Sequence, residues 1–103
     1  MRVELLWWEG CPSYDEALSD LRRVLAEEGV DAEVELVEVE SDEQARAERF
    51  AGSPTIRLDG MDALPAAEGE PFSLTCRVYR LRDGQISATP DPEDIREALR
   101  RTR

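Results

Sequence analysis

Two thiols are the strongest nucleophiles in this chain, Cys11 and Cys76. There is no His, no Lys and no Asn, and all 13 basic residues are Arg. Without His there is neither Ser-His nor Cys-His catalysis, and the commonest zinc ligand is missing. Without Lys there is no Schiff-base chemistry and no phosphate-loop lysine. Beyond the thiols only hydroxyls and carboxylates remain. Cys11 lies in Trp8-Glu9-Gly10-Cys11-Pro12-Ser13-Tyr14, after a short apolar segment and before a stretch of helical spacing. A thiol at a helix start meets unpaired backbone N–H groups and the positive end of the helix dipole. Both favour the thiolate, which is the reactive form. Glu9, Asp15 and Glu16 oppose it.

Elements of α/β type must position that thiol. Residues 3–8 are mostly apolar, as in a buried central strand. Gly10 and Pro12 end it. Tyr14, Ala17, Leu18, Leu21, Val24 and Leu25 then repeat at helical spacing over 13–28, and Gly29 stops the helix. Residues 32–39 alternate as a half-buried strand. Ser41-Asp42-Glu43-Gln44 is a capping-box pattern opening a helix over 42–51. A third strand is expected over 54–58, ended by Asp59-Gly60. An insertion over 60–82 follows, with a fourth strand between Phe72 and Leu81 and a second turn at Asp83-Gly84. Asp91-Pro92 caps a last helix over 92–101, with Ile95, Ala98 and Leu99 on its core face. Two strand–helix units followed by a hairpin and a helix imply a mixed sheet with a right-handed crossover.

Composition bounds the rest. The 103 residues suit one domain over 1–103. The net charge of −11 would repel nucleic acid and anionic membranes. No apolar run reaches the ~20 residues a transmembrane helix needs. The start is too short and too acidic for a signal peptide, so the chain reads as cytoplasmic. There two cysteines are more often thiols or a catalytic pair than a structural staple.

The element order, with Gly10-Cys11-Pro12 at the first strand–helix junction and Gly52-Ser53-Pro54-Thr55 entering the third strand, resembles the thioredoxin-like superfamily. The early Cys-Pro-Ser-Tyr and late Cys-Arg-Val-Tyr runs look like small bacterial thioredoxin-like proteins sometimes labelled alkylmercury lyase-like. The resemblance implies one thioredoxin-like domain: a mixed four-stranded sheet flanked by helices, here with an extended segment joining its third and fourth strands. It implies a cis Ser53–Pro54 bond beside Cys11. Tyr14 stands where the resolving cysteine of a C-x-x-C pair would be.

Cys76 is then the only intramolecular partner open to Cys11. Its first reading is a core residue in the middle of the fourth strand. Its second is a disulfide partner, if the insertion folds back and the Cα atoms come within ~7 Å. Even without that bond the insertion can act as a flap, with Phe72 and Leu74 as its apolar contacts. Tyr14 reads first as packing on the helix's apolar face, and second as a hydrogen-bond donor to the Cys11 sulfur. Of Trp7 and Trp8, one is expected in the core, and the other either shields Cys11 from solvent or presents an aromatic surface to a partner. Arg77 and Arg80 read first as solvated arginines and second as groups that stabilise a thiolate or bind an acidic substrate.

The functional expectation is a thiol-dependent oxidoreductase. Cys11 attacks, and Cys76 or an external thiol resolves. Trp8, Pro12, Ser53, Pro54 and Thr55 line the substrate, with Ser53 and Thr55 offering backbone groups to an extended chain. The partner is a protein or small-molecule disulfide or thiol. No cofactor and no resident metal are implied. Two alternatives stay open: a thiol protein handling organomercurials or soft metals, with Asp15 as proton donor, and a non-catalytic binding module.

Overall fold

β1 (Val3–Trp7) is the middle of the molecule because both its faces are covered. Val3, Leu5 and Leu6 are fully buried. Side chains alternate across a strand. Val3 and Leu5 therefore join one apolar cluster, while Leu6 joins a second. A two-sided strand has no need of polar alternation, which explains the unbroken apolar run. Glu4, also buried, is met by the Arg2 guanidinium at 3.1 Å.

The computed structural model describes all 103 residues, Met1–Arg103. α1 (Tyr14–Glu27) carries the chain from β1 to β2 (Val34–Glu38), which pairs parallel to β1 from Val3–Val34 to Trp7–Glu38. α2 (Asp42–Glu48) follows. β3 (Thr55–Leu58) then runs antiparallel on the other side of β1. β4 (Met61–Asp62) completes a four-stranded mixed sheet in the order β2-β1-β3-β4. α3 (Pro92–Thr102) packs beside α1. Ala17, Leu21 and Val24 of α1 and Ile95, Ala98 and Leu99 of α3 cover Val3, Leu5, Ile56 and Leu58 in a core of 13 buried residues. The second cluster is Leu6, Val39, Ala45 and Phe50. No helix is long and apolar enough to cross a membrane.

Three expectations change. β2 is an edge strand with Leu36 46% exposed, so it is covered less than its alternation suggests. α2 ends at Glu48, where Arg49 turns left-handed at φ 56° and the Phe50 N–H returns to the Ala45 carbonyl. The fourth strand of the sheet is Met61–Asp62 rather than a segment of 72–81, and the β3–β4 connection is tight rather than extended. Asp59 and Gly60 both have positive φ, 51° and 84°, the pairing that closes a two-residue hairpin. The nearest downstream residues thus take the edge of β3. Pro65 and Pro71 have no N–H with which to continue a ladder. The later strand-like residues form a separate ribbon, β5 (Tyr79–Arg80) with β6 (Ile86–Ser87). The chain from Leu64 to Val78 is left to cross the end of the sheet as a strap.

Candidate functional site

The site begins where β1 runs out. The Cys11 N–H donates to the Trp8 carbonyl at 3.0 Å, closing the turn that aims the chain into α1. Gly10 is required there: a Cβ would lie 2.5 Å from the Trp8 ring. Ser13 occupies the N-cap of α1 but is already helical in conformation, with φ −72° and ψ −4°, and its hydroxyl caps nothing. The other two helices differ. Ser41 accepts from the Gln44 N–H at 3.0 Å, and Asp91 accepts from the Glu93 N–H at 2.9 Å. The start of α1 therefore has no side-chain oxygen on its first-turn N–H groups. The nearest polarisable atom in sequence is the sulfur of Cys11.

Cys11 is 3% exposed. Its Sγ lies 3.6 Å from the Ser13 Oγ and 3.6 Å from the Ser53 carbonyl oxygen. Ser53 locks this corner to β1, since its Oγ accepts from the Trp8 N–H at 3.1 Å. The Ser53–Pro54 bond is cis, as the resemblance implies. Thr55 donates from Oγ1 to the Gly52 carbonyl at 2.6 Å.

The strap brings in Cys76, which is disulfide-bonded to Cys11 with the two Cα atoms 5.8 Å apart. This corrects the first reading of Cys76 as a core residue in a strand. It is exposed, and its backbone pairs with Ser53 as a single parallel bridge. The Ser53 N–H donates to the Thr75 carbonyl at 2.8 Å, and the Arg77 N–H donates to the Ser53 carbonyl at 2.9 Å. Two more bonds hold the strap, Ser73 N–H to the Phe50 carbonyl at 3.2 Å and Leu74 N–H to Asp42 Oδ1 at 2.9 Å. Gly52 is the contact that lets it seat. At φ 137°, a Cβ would sit 2.6 Å from Arg77 Cγ. Leu74 packs on the Phe50 cluster, as expected of a flap contact, and Phe72 lies under the Arg49 guanidinium.

The remaining expected residues divide. Tyr14 stacks on Trp7, with ring centroids 4.3 Å apart, and packs on the main core. Its packing reading holds, and the polar neighbours of the Cys11 sulfur are Ser13 and Ser53 instead. Neither tryptophan is fully buried: Trp7 stacks on Tyr14, and Trp8 covers the second cluster and Gly10. Pro12 is exposed. Ser53, Pro54 and Thr55 are buried, so the backbone groups expected to meet an extended substrate are inside. Those of Ser53 are taken by the chain's own strap, and Thr55 pairs with Leu6 of β1. Arg77 is not a freely solvated arginine. Its guanidinium stacks 4.5 Å from the centroid of the Tyr79 ring and donates to the Leu64 carbonyl at 2.7 Å. Arg80 is exposed, as first read.

Tyr79 was not foreseen as part of the site. Its hydroxyl donates to the Pro54 carbonyl at 2.5 Å. Burial pushes its pKa up to about 12, so it stays a neutral donor and fastens β5 to the Pro54 corner. It directly follows the aperiodic strap, so no local pattern marks it as part of the site. Beside Cys76 runs a groove of about 520 Å³, walled by Pro65, Ala66, Ala67, Pro71 and Val78. A second groove of about 530 Å³, between α2 and residues 65–72, borders neither sulfur, and its Arg57 is already paired with Asp62 and Glu48.

No family model, no curated protein and no solved structure matches the chain.

Proposed function

We propose that the protein is a thioredoxin-like thiol–disulfide oxidoreductase whose redox pair is Cys11 with Cys76. The observation that carries this reading is the pairing of two cysteines 65 positions apart at the start of a helix that no side chain caps. A disulfide built only to fasten the strap has no need of that address, because four hydrogen bonds to the rest of the molecule already fasten it. An uncapped helix start instead stabilises a thiolate released when the disulfide opens. The element order, two strand–helix units followed by a hairpin and a helix, supports the family reading. Cytoplasmic thiol pools would cycle such a pair between its two states.

The test is a redox titration in glutathione buffers, read by thiol alkylation and mass. A reversible two-electron transition between the disulfide and two free thiols is expected. Release of both thiols from a small disulfide by the reduced protein, with no other thiol added, should be abolished by Cys11→Ser. A disulfide that excess dithiothreitol leaves closed in the folded protein, or a Cys11→Ser variant as active as the parent, overturns the reading. One further reading has support in the same geometry, since two thiols this close can hold a soft ion. A tight one-to-one mercury complex of the reduced protein, with no turnover of disulfides, would select that reading.

A further inference from the structure

Exposure separates the two cysteine residues. Cys11 is 3% exposed, walled in by the Trp8 turn, Ser13 and Ser53, whereas Cys76 is an exposed residue on the rim of the groove of about 520 Å³. The leaving-group side is equally unequal, because only Cys11 stands at an uncapped helix start. In thiol–disulfide exchange the sulfur that is reached is the one attacked, and the more stable thiolate is the better leaving group. Resting on the redox reading above, we infer that exchange enters at Cys76, that Cys11 is the departing and resolving thiol, and that the substrate is a low-molecular-weight thiol or its disulfide. This reverses the order of attack expected from the sequence.

The substrate class follows from what the strap occupies. An extended polypeptide docking beside Pro54 needs the Ser53 N–H and carbonyl, and both are already bonded, to Thr75 and Arg77. Opening the disulfide removes neither bond, nor those of Ser73, Leu74 and the Tyr79 hydroxyl. The strap therefore stays seated in the reduced protein. Access is left to the groove beside Cys76, whose size fits a small molecule.

In the first step an external thiolate attacks Cys76 Sγ. The Cys11–Cys76 bond breaks, and its electron pair leaves on Cys11 Sγ while a mixed disulfide forms at Cys76. A second external thiolate attacks the external sulfur of that mixed disulfide and expels the Cys76 thiolate. Two external thiols are oxidised to one disulfide, and the protein disulfide is reduced to two thiols that take up the two protons. Run backwards, the Cys76 thiolate opens the small disulfide, and Cys11 attacks Cys76 Sγ to release the second thiol.

The oxidised wild-type protein is treated briefly with limiting glutathione, quenched in acid, alkylated with N-ethylmaleimide and mapped by peptide mass. Glutathione on Cys76 with the alkyl group on Cys11 is the expected result. The reverse assignment overturns the order of attack while leaving the redox reading standing. In a second arm, Cys11→Ser should form an adduct with glutathione disulfide on the order of tenfold faster than Cys76→Ser. Equal rates, or a faster Cys76→Ser, overturn it. In a third arm the reduced wild-type protein should consume glutathione disulfide on the order of tenfold faster than it reduces insulin. Insulin reduced as fast overturns the substrate class alone. A disulfide that neither glutathione nor dithiothreitol opens overturns this inference together with the redox reading it rests on.

Discussion

The two ends of α1 are each tied to a distant part of the chain, by opposite kinds of chemistry. At its start, Cys11 is bonded covalently to Cys76 of the strap. At its end, Glu28 is held by ions: Arg100 approaches at 2.8 Å, Arg103 at 3.2 Å and Arg96 at 3.3 Å, all from the last helix or its cap. The Arg103 guanidinium also donates to the Glu28 carbonyl at 2.8 Å. Both arrangements go against a helix's usual preferences. Acids are disfavoured at the negative end of the dipole, and α1 has no basic residue in its last turn. The three arginines of a different element supply the missing positive charge. At the other end the first-turn N–H groups lack the usual oxygen cap, and Cys11 lies three positions before the helix. One tie is a covalent bond and the other rests on the charge of a carboxylate.

The largest expected break in that comparison is at the sulfur end. Replacing exposed Cys76 with Ser removes the link without opening a void in the core. The link closes a loop of 65 residues, so chain entropy sets the loss at about 4 kcal/mol relative to the oxidised parent. Urea unfolding of the two proteins measures it; a loss near zero would mean that the unfolded chain is not constrained by the link.

The next is at the charge end. The hydrogen bond from Arg100, with help from Arg96 and Arg103, holds the Glu28 carboxyl at about 2, against an ordinary value of 4.5. A lowered acid stabilises the fold above its unfolded value and loses that contribution as pH falls toward the folded one. Glu28 should therefore support stability fully above about 4.5 and progressively less down to about 2. Glu28→Gln should be less stable than the parent at neutral pH, and the gap should close across that window. A gap independent of pH in thermal melts would show that Glu28 acts by packing alone.

The smallest effect concerns the Ser13 hydroxyl, 3.6 Å from the Cys11 sulfur. Ser13→Ala removes the one side-chain hydroxyl able to donate to a departing thiolate. The expected cost is about 0.5 kcal/mol, or roughly a twofold slower opening of the disulfide by glutathione. Stability of the oxidised form should hardly change, because Ser13 caps no N–H. An unchanged opening rate would leave stabilisation of the thiolate to the helix start alone.

Much of this was legible in local patterns. The spacing from Tyr14 to Leu25, the cap at Ser41, the cap and proline at Asp91-Pro92 and the Asp59-Gly60 turn each specify an element through neighbours within about one turn of helix or one hairpin. Cys11 could be placed at a helix start for the same reason. The strap could not. From Leu64 to Val78 the sequence has neither period, two prolines and few branched residues, so nothing local says where it lies. Near Cys76 the strand-like residues form no strand, because their backbone pairs there only with Ser53.

Taken by itself, the sequence determines the alternation of strands and helices, the two-sided burial of β1 and a thiol at the start of α1. These depend on side-chain periodicity and capping, which act over a few residues. The tertiary structure alone decided that Cys76 meets Cys11, that Ser53 is already bonded on both sides, and that Glu28 finds three arginines. Each needs segments more than 20 positions apart to be folded onto one another. The free energy that brings them together comes from burying both faces of the sheet, a property of the whole chain that no short stretch encodes.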